Sequence, residues 1–492
     1  MWDTVLYESV MESDITLLLN CSCMDAQMDG DHIQSVTGWQ TTTQQYHRIT
    51  AKIVADCSGD GVLAPITGAE YRVGREARSE FNESIAPAVA DKKTMGMTIL
   101  FQAKEHDTPQ PFIAPTWANV YESCDDLPYG AQGHKWFQMG YWWLELGGEH
   151  DSIHDTEKLR HELLKVVYGV WDHLKNHCEN KSSTRNWALD WVQFLPGKRE
   201  SRRYVGQHIL NQNEIASGGH FDDIIGYGGW TMDDHHPAGF ESRHLEKEES
   251  TIFHDAPSPY GIPYGVIVSK NIDNLMFAGR DASCTHAAMS STRVMGTCFT
   301  MGQALGTAAA IAVKKGISPW AVSEDMDELQ QTLIQDDCYL PWIQEVLPEL
   351  TMQAKLTASV GHPEPVRDGW NRTIDEDDHA WIGTANEWIA YEFEQPTMVH
   401  EVRLALDSAL DMEVAMSHLR NEKQMTTPPP TLPEEFLIVG KIGDDWVDLI
   451  EVTDNHHRVF KAELNRELSG ITFVLKKTWG DVPSRVFHFS VR

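Results

Sequence analysis

Residues 271–316 read NIDNLMFAGRDASCTHAAMSSTRVMGTCFTMGQALGTAAAIAVKKG, and the fold turns on them. The apolar run Leu275 to Ala278 ends in Gly279-Arg280, the pattern of a short buried strand entering a loop. The loop carries Asp281, Ser283, Thr285, His286, Ser290, Ser291, Thr292 and Arg293. From about Met295 the pattern turns helical. Gly302, Gly306 and Ala309-Ala310 recur every three or four residues and predict a smooth stripe where the helix lies close to a sheet. Lys314, Lys315 and Gly316 supply a basic last turn and a glycine stop. Strand, small-residue loop and helix together aim N–H groups and a positive dipole end at something electron-rich. The pattern alone equally describes an ordinary strand–helix unit with a polar loop.

A second loop follows an expected strand at residues 46–55 and reads ADCSGDG at 55–61. Its glycines let backbone approach a nucleotide without a Cβ clash, and Asp56 or Asp60 can accept from a ribose hydroxyl. A plain glycine turn is the alternative.

Two further stretches carry charge in unusual density. Residues 195–203, LPGKRESRR, place Lys198, Arg199, Arg202 and Arg203 within six positions of an acidic chain. They suit a substrate carboxylate or a phosphate, or else a salt-bridged face. Residues 226–237, GYGGWTMDDHHP, set Asp233, Asp234, His235 and His236 in a glycine-flanked loop. General acid/base work or substrate binding ranks above metal ligation there, because loop neighbours seldom converge on one ion. Tyr264 reads as a pocket or core residue.

Both glycine loops resemble segments of the FAD-dependent oxidoreductase family that stands near the fumarate reductase flavoproteins, among the glutathione-reductase-like flavoproteins. The matching residues in the later segment are Asn274-Leu275, Ala278-Gly279-Arg280, Ser283, Thr285-His286, Ser291, Arg293-Val294-Met295, Thr297-Cys298, Met301-Gly302-Gln303-Ala304 and Gly306 to Ala310. Those in the earlier one are Ala55-Asp56, Ser58 to Gly61, Leu63-Ala64, Gly68 to Arg72 and Gly74 to Glu76. The basic stretch is similar to that family's GKRESRR segment, and the 226–237 loop to its GGWxxDxHxP, with His236-Pro237 in register.

The resemblance implies FAD as cofactor, no metal, and hydride transfer from an organic, small-molecule substrate. It implies flavin contacts from Ser58, Gly59, Asp60, Gly279, Arg280, Asp281, Ser291, Arg293, Val294, Met295 and Gly296. It implies His236 or His286 as base, with Arg293 and either Arg202 or Arg203 facing the substrate. The family's strand–GxGxxG–helix, which holds the ADP half of FAD, has no counterpart in the sequence. The expectation is that a missing segment or a partner chain supplies it, and that this chain alone takes up FAD weakly or not at all. A non-catalytic carbohydrate-binding or interaction protein with a degenerate flavin domain is the alternative, and a metal-dependent hydrolase using Asp233 to His236 the third.

The rest of the chain sets the frame. At 492 residues it holds two or three domains. With 40 Lys+Arg against 73 Asp+Glu, its formal charge of −33 argues against nucleic acid and anionic membranes. The 8 cysteines include no CxxC pair and suggest neither a zinc site nor a disulfide framework. No apolar run reads as long enough to span a membrane, and the acidic start is no secretory signal, which favours the cytoplasm. Strands are predicted at residues 15–19, 21–26, 33–39, 98–103 and 138–146, a helix at 154–176, and a helical layer at 187–195. After Met352, short strands at 388–393, 399–406, 435–439, 446–452, 457–464, 470–475 and 486–491 predict a β-sandwich that resembles galactose-binding-like modules. Trp381, Trp388 and Trp479 either stack a sugar there or only pack. The expected class is α/β: an incomplete FAD/NAD(P)-binding, Rossmann-like domain (1–90 and 261–350) with an inserted α+β substrate domain (91–260), then an all-β sandwich (351–492). That module makes a sugar or polyol the plausible substrate.

Overall fold

The computed structural model describes residues 2–135, 140–245, 251–410, 412 and 425–492. The chain divides into two compact units, residues 1–333 with 339–341, and residues 334–338 with 342–492. At the centre of the first, two short strands from distant parts of the chain, Val54–Asp56 and Leu275–Phe277, run parallel with Met276 beside Ala55. Leu275, Met276 and Phe277 are fully buried, as an apolar run must be when both faces of a parallel sheet are covered. Both glycine loops leave the carboxyl ends of these strands and so lie side by side. In open α/β sheets that is where ligands bind.

An antiparallel meander, Cys21–Asp29, His32–Gln40 and Gln45–Ile49, is tied to this centre through Asn274. The Asn274 Oδ1 accepts from the Ile33 N–H at 2.9 Å, and its Nδ2 donates to the Ile33 carbonyl at 3.0 Å. Two expectations fail here. Residues 15–19 form no strand; Ile15, Leu17 and Leu19 are exposed, and an apolar run without a sheet edge to join gains no ladder. Residues 46–55 are not one strand either, because the first half pairs with the meander and the second with Leu275–Phe277.

Residues between these parallel strands build a second core. The helix Thr156–Asp172 buries Leu159, Leu163, Val166, Val167, Val170 and Trp171 in one core with Phe101 and Tyr141. Below it Phe101–Glu105 pairs antiparallel with Trp187–Val192. The expected helical layer at 187–195 is thus a strand; Trp187 and Leu189, two residues apart, pack on the same core. The expected strand at 98–103 divides into Met97–Thr98 and Phe101–Glu105. Of the strand expected at 138–146, only Glu145–Leu146 forms, while Gln138 and Met139 lie outside the described residues. The helix expected to run on to residue 176 changes at Asp172 into a π turn, His173–His177. This turn brings His173 and Cys178 beside Cys124 and His134, a grouping the cysteine spacing did not suggest.

Residues 286–292 belong to a helix rather than a loop: Thr285 Oγ1 caps His286–Thr292 by accepting from the Ala288 N–H. A longer helix, Met295–Lys315, follows and ends on Gly316 at φ 68°. It buries Thr297, Met301, Ala304, Leu305, Ala308 and Ala312. It packs so closely on the strand Ile224–Gly228 that a Cβ on Gly226 would lie 2.9 Å from Thr300 Oγ1. The Gly302–Gly306 stripe does not make this contact. A Cβ at either position would meet nothing within 4 Å. Burying the larger Met301 and Leu305 instead removes more apolar area from water. By length and composition alone this helix is apolar enough to cross a membrane, as a core helix can also be.

The second unit is antiparallel β. Among the described residues six strands pair in one hydrogen-bonded order, with the 388–406 and 459–478 strands at its middle, and a seventh, Lys355–Ala358, pairs with 388–406 off that path. The short strands predicted at 388–393 and 399–406 are one strand, Trp388–Leu406, and those at 457–464 and 470–475 are another, Val459–Thr478. Bulges between Glu392 and Thr397 and between Val399 and Glu401 let the long strands bend. Ile389, Tyr391, Val402, Leu404, Phe436, Phe473 and Phe489, from both halves of these strands and their neighbours, meet in one core, as in a sandwich. Trp381 is buried in it with its Nε1 donating to the Val360 carbonyl at 2.8 Å, so it offers no free face to a sugar, and the partly buried Trp479 packs against the core.

Phe473→Ala in the full chain is expected to destabilise this unit by about 3–5 kcal/mol. Chemical denaturation followed by tryptophan fluorescence measures it, and a loss below about 1 kcal/mol would show that the Phe473 site is not close-packed.

Candidate functional site

The loop at residues 56–63 is shaped from within. Asp56 is buried; its Oδ1 accepts from the Ser58 N–H at 2.9 Å, and its Oδ2 from the Leu63 N–H at 3.0 Å and the Tyr204 hydroxyl at 2.6 Å. Tyr204 in turn stacks on Phe277, centroids 4.4 Å apart. Both carboxylate oxygens of Asp56 are therefore spent on the fold. Asp60 is also held: Lys198 Nζ lies 2.5 Å from its Oδ2, and Arg280 at 3.0 Å and Ser201 at 2.7 Å from its Oδ1. Burial would raise the Asp60 pKa, but Lys198 and Arg280 hold it below the usual carboxylate range. Gly59 has φ 69°, and the Arg280 guanidinium sits 3.1 Å from where its Cβ would be, so only glycine fits that approach. Ser58 is exposed and accepts from the Asp60 N–H at 3.2 Å.

Opposite, Gly279 turns at φ 111°. Asp281 is fully buried; its Oδ2 accepts from the Gly61 N–H at 3.3 Å, while its Oδ1 meets no partner among the described residues. Burial, with Asp56 nearby, pushes the Asp281 pKa well up. The helix 295–315 begins at Val294 with no side-chain cap, and Met295 and Gly296 stand exposed at its first turn. Its leading N–H groups thus have no side chain to receive them. Ser291, by contrast, is buried, donating to the Trp230 carbonyl and bonded to the Tyr260 hydroxyl, both at 2.6 Å.

Arg293 and Val294 at this helix start also line a cavity of about 800 Å³. Aromatic walls come from Trp142, Trp143, Trp230 and Phe253, and polar groups from Lys198, Arg199, Asp233, His235 and Arg293. Trp142, Trp230 and Phe253 are more than half exposed. The strand Met232–His235 pairs with Thr251–His254 and sets which of its residues face the cavity. Asp233 and His235, two apart, share one side. Asp234 points the other way, to His286.

Behind the wall lies a chain of buried ion pairs. His235 Nδ1 donates to Glu145 Oε2 at 2.7 Å, and its Nε2 is 3.4 Å from Asp233 Oδ1. Arg199 reaches the same Glu145 oxygen at 3.2 Å. Arg293 donates to the Asp233 carbonyl at 3.0 Å and lies 3.4 Å from its carboxylate. Burial lowers the His235 pKa less than Asp233 and Glu145 raise it, so the net direction is up. On the far side, His286 Nδ1 bonds Glu200 Oε2 at 2.8 Å and Nε2 bonds Asp234 Oδ1 at 3.1 Å. Burial opposes the charged ring, but the two carboxylates outweigh it and raise the pKa to about 10. Glu200 continues to the fully buried Arg203, 3.2 Å away, which also bonds Glu76 at 3.0 Å.

This geometry sorts the residues singled out from sequence. His286 has both nitrogens engaged, Nδ1 with Glu200 and Nε2 with Asp234. His236 lies off the cavity; its Nδ1 accepts from the Ala238 N–H at 3.1 Å. The cavity histidine is its neighbour His235, and the period-two alternation along 232–235 was the signal for it. Arg202 sits on the loop, donating to the Asp60 carbonyl at 3.2 Å with its guanidinium over Tyr71. Arg199 takes the cavity position instead. Tyr264 is buried and donates to the Pro319 carbonyl at 2.6 Å, a core role.

Residues 1–333 match the family model described as FAD dependent oxidoreductase. No curated protein matches the chain. Among solved structures, the family 32 carbohydrate-binding module of Streptococcus pneumoniae EndoD shares 11% identity over 29% of this chain and 98% of its own, at a TM-score of 0.22. The family 32 module of C. perfringens NanJ, in complex with galactose, shares 10% over 28% and 93%, at 0.21. Chitosan-binding module 1 from a Paenibacillus sp. IK-5 chitosanase/glucanase shares 12% over 29% and 97%, also at 0.21.

The His286 imidazolium predicts a pH dependence of stability. Its folded pKa of about 10 lies above an unfolded value of about 6.5, so its stabilisation is complete below the lower value and fades as pH rises toward the upper one. Urea midpoints measured across that window should fall in the native protein. His286→Gln should remove this part of the slope, and an unchanged slope in the variant would show that the ring is not charged.

Proposed function

Because the chain belongs to the FAD-dependent oxidoreductase family, we propose that it oxidises a hydroxyl-bearing carbon of a sugar or polyol held in the cavity of Trp142, Trp230, Asp233 and His235. The observation that carries this reading is the make-up of that cavity. Exposed tryptophan faces suit the C–H faces of a sugar ring, and the paired charges between them suit hydroxyl groups. The open start of helix 295–315 lies on the rim of the same cavity through Arg293 and Val294.

The residues present fit a flavin. Gly279 leaves room for close backbone approach, Asp281 Oδ1 is a buried polar atom without a partner among the described residues, and the first turn of helix 295–315 offers uncapped N–H groups. Gly59, Gly279, Arg280, Asp281, Val294, Met295 and Gly296 are the residues that would hold it. When bound, FAD supplies the acceptor for two electrons. The chain's own part is the proton: the substrate O–H proton passes to the Asp233 carboxylate, which His235 and Arg293 hold in place. Burial would raise the Asp233 pKa, but His235 and Arg293 keep it low, so it is ionised before substrate enters. Among the described residues the 54–56 strand has a ladder on one side only. That open side suits a dinucleotide-holding unit supplied by a partner chain, so FAD alone should bind this chain weakly.

Anaerobic mixing of the chain with saturating FAD and a panel of sugars and polyols tests the proposal. The expected result is loss of the flavin's visible absorbance with at least one of them. Asp233→Asn should slow that bleaching by about 10²–10⁴-fold, and Trp230→Ala should raise the substrate concentration needed for half-maximal rate. Flavin that stays oxidised with every member of the panel while another substrate class bleaches it would overturn the sugar assignment. Flavin that co-elutes stoichiometrically through gel filtration would overturn the need for a further unit.

A further inference from the structure

Away from this cavity, four side chains converge in the second core of the first unit. Cys124, His134, His173 and Cys178 come from three separate segments, and their ligand-type atoms all lie within 4.8 Å of one another. Cys124 Sγ is 3.4 Å from His134 Nε2, 3.5 Å from His173 Nε2 and 3.9 Å from Cys178 Sγ. Cys178 Sγ is 3.5 Å from His134 Nε2. A zinc ion with Zn–S of about 2.3 Å and Zn–N of about 2.0–2.1 Å gives a regular tetrahedron whose edges are about 3.8 Å for S···S and about 3.5 Å for S···N. The four separations match those edges within about 0.2 Å.

We infer that Cys124, His134, His173 and Cys178 form a structural site for one zinc ion.

The local fold is built for it. The π turn His173–His177 closes with the Cys178 N–H donating to the His173 carbonyl at 2.7 Å. That one-residue-wider turn brings residues five apart to one face, where a regular helix would put Cys178 off the line. His173 Nδ1 bonds the Tyr121 carbonyl at 2.8 Å, which leaves its Nε2 as the ligand atom and fixes the ring. The Asn180 N–H donates to Cys178 Sγ at 3.4 Å, as suits a thiolate. Ser123 caps the short turn Cys124–Asp126 and fixes Cys124. The two imidazole rings stand at 90°, so neither stacks on the other.

Charge and surroundings agree. His134, His173 and Cys178 are buried, His173 and Cys178 nearly completely. Two thiolates with one divalent ion are neutral, the state an apolar core tolerates. A Cys2His2 set with all four positions filled by protein is the composition of a closed structural site, not a catalytic one. The site would pin the 121–134 segment to the end of helix 156–172. In sequence the ligands read Cys124-x9-His134 and His173-x4-Cys178.

The test uses the full chain, purified under reducing conditions, stripped with chelator and titrated anaerobically with Co²⁺ and then Zn²⁺. The expected result is saturation at one Co²⁺ per chain, with thiolate-to-cobalt charge-transfer absorption and intense tetrahedral d–d bands, both abolished by one equivalent of Zn²⁺. Cys178→Ser and His173→Gln should remove these bands, and Cys57→Ser, at an exposed thiol, should keep them. The titration of the unaltered protein decides the question even if a variant does not fold. Absence of charge-transfer bands at saturating Co²⁺, persistence of the bands in a folded Cys178→Ser protein, or a Cys124–Cys178 disulfide in the protein as isolated would each overturn the assignment.

Discussion

The first unit depends on a line of buried charges that has to be complete to be tolerated. Arg203 is fully buried between Glu76 and Glu200; Glu200 holds His286; His286 holds Asp234. Its five members come from four stretches of chain, Glu200 and Arg203 sharing one, so the line joins the segment after the first glycine loop, the KRESRR stretch, the strand Met232–His235 and the helix His286–Thr292. Leaving one buried charge unpaired costs about 3–5 kcal/mol, a large part of a domain's whole stability. The hydrophobic core holds these segments together, and the ion line fixes how they register.

That constraint explains which sequence signals were legible. The strands Val54–Asp56 and Leu275–Phe277, the glycine turns after them and the Lys314-Lys315-Gly316 stop are all written locally, as an apolar run, a residue tolerant of positive φ, or a terminal charge. Roles set by pairing were not. His235 and His236 are neighbours, and only the register against Thr251–His254 turns the first into the cavity. Arg199 and Arg202 look alike in KRESRR, yet Glu145 and the Asp60 carbonyl sort them to different places. The helix 295–315 reads as small-faced, but the face with Met301 and Leu305 carries more apolar area and turns inward. The Cys2His2 group went unseen because its ligands lie in three segments and the fold, not the spacing, closes the gap.

The cavity wall adds a second electrostatic balance to the first. Glu145 pairs with Arg199 and His235, and Asp233 with His235 and Arg293. Asp233 and Glu145 together raise the His235 pKa against its burial. A neutral, hydroxyl-bearing molecule enters such a site without disturbing the balance. An anionic one has to displace Asp233 from Arg293 or bring its own counter-charge. On this argument the arginines are committed to the protein's own carboxylates, and the exposed faces of Trp142 and Trp230 are left to select what binds.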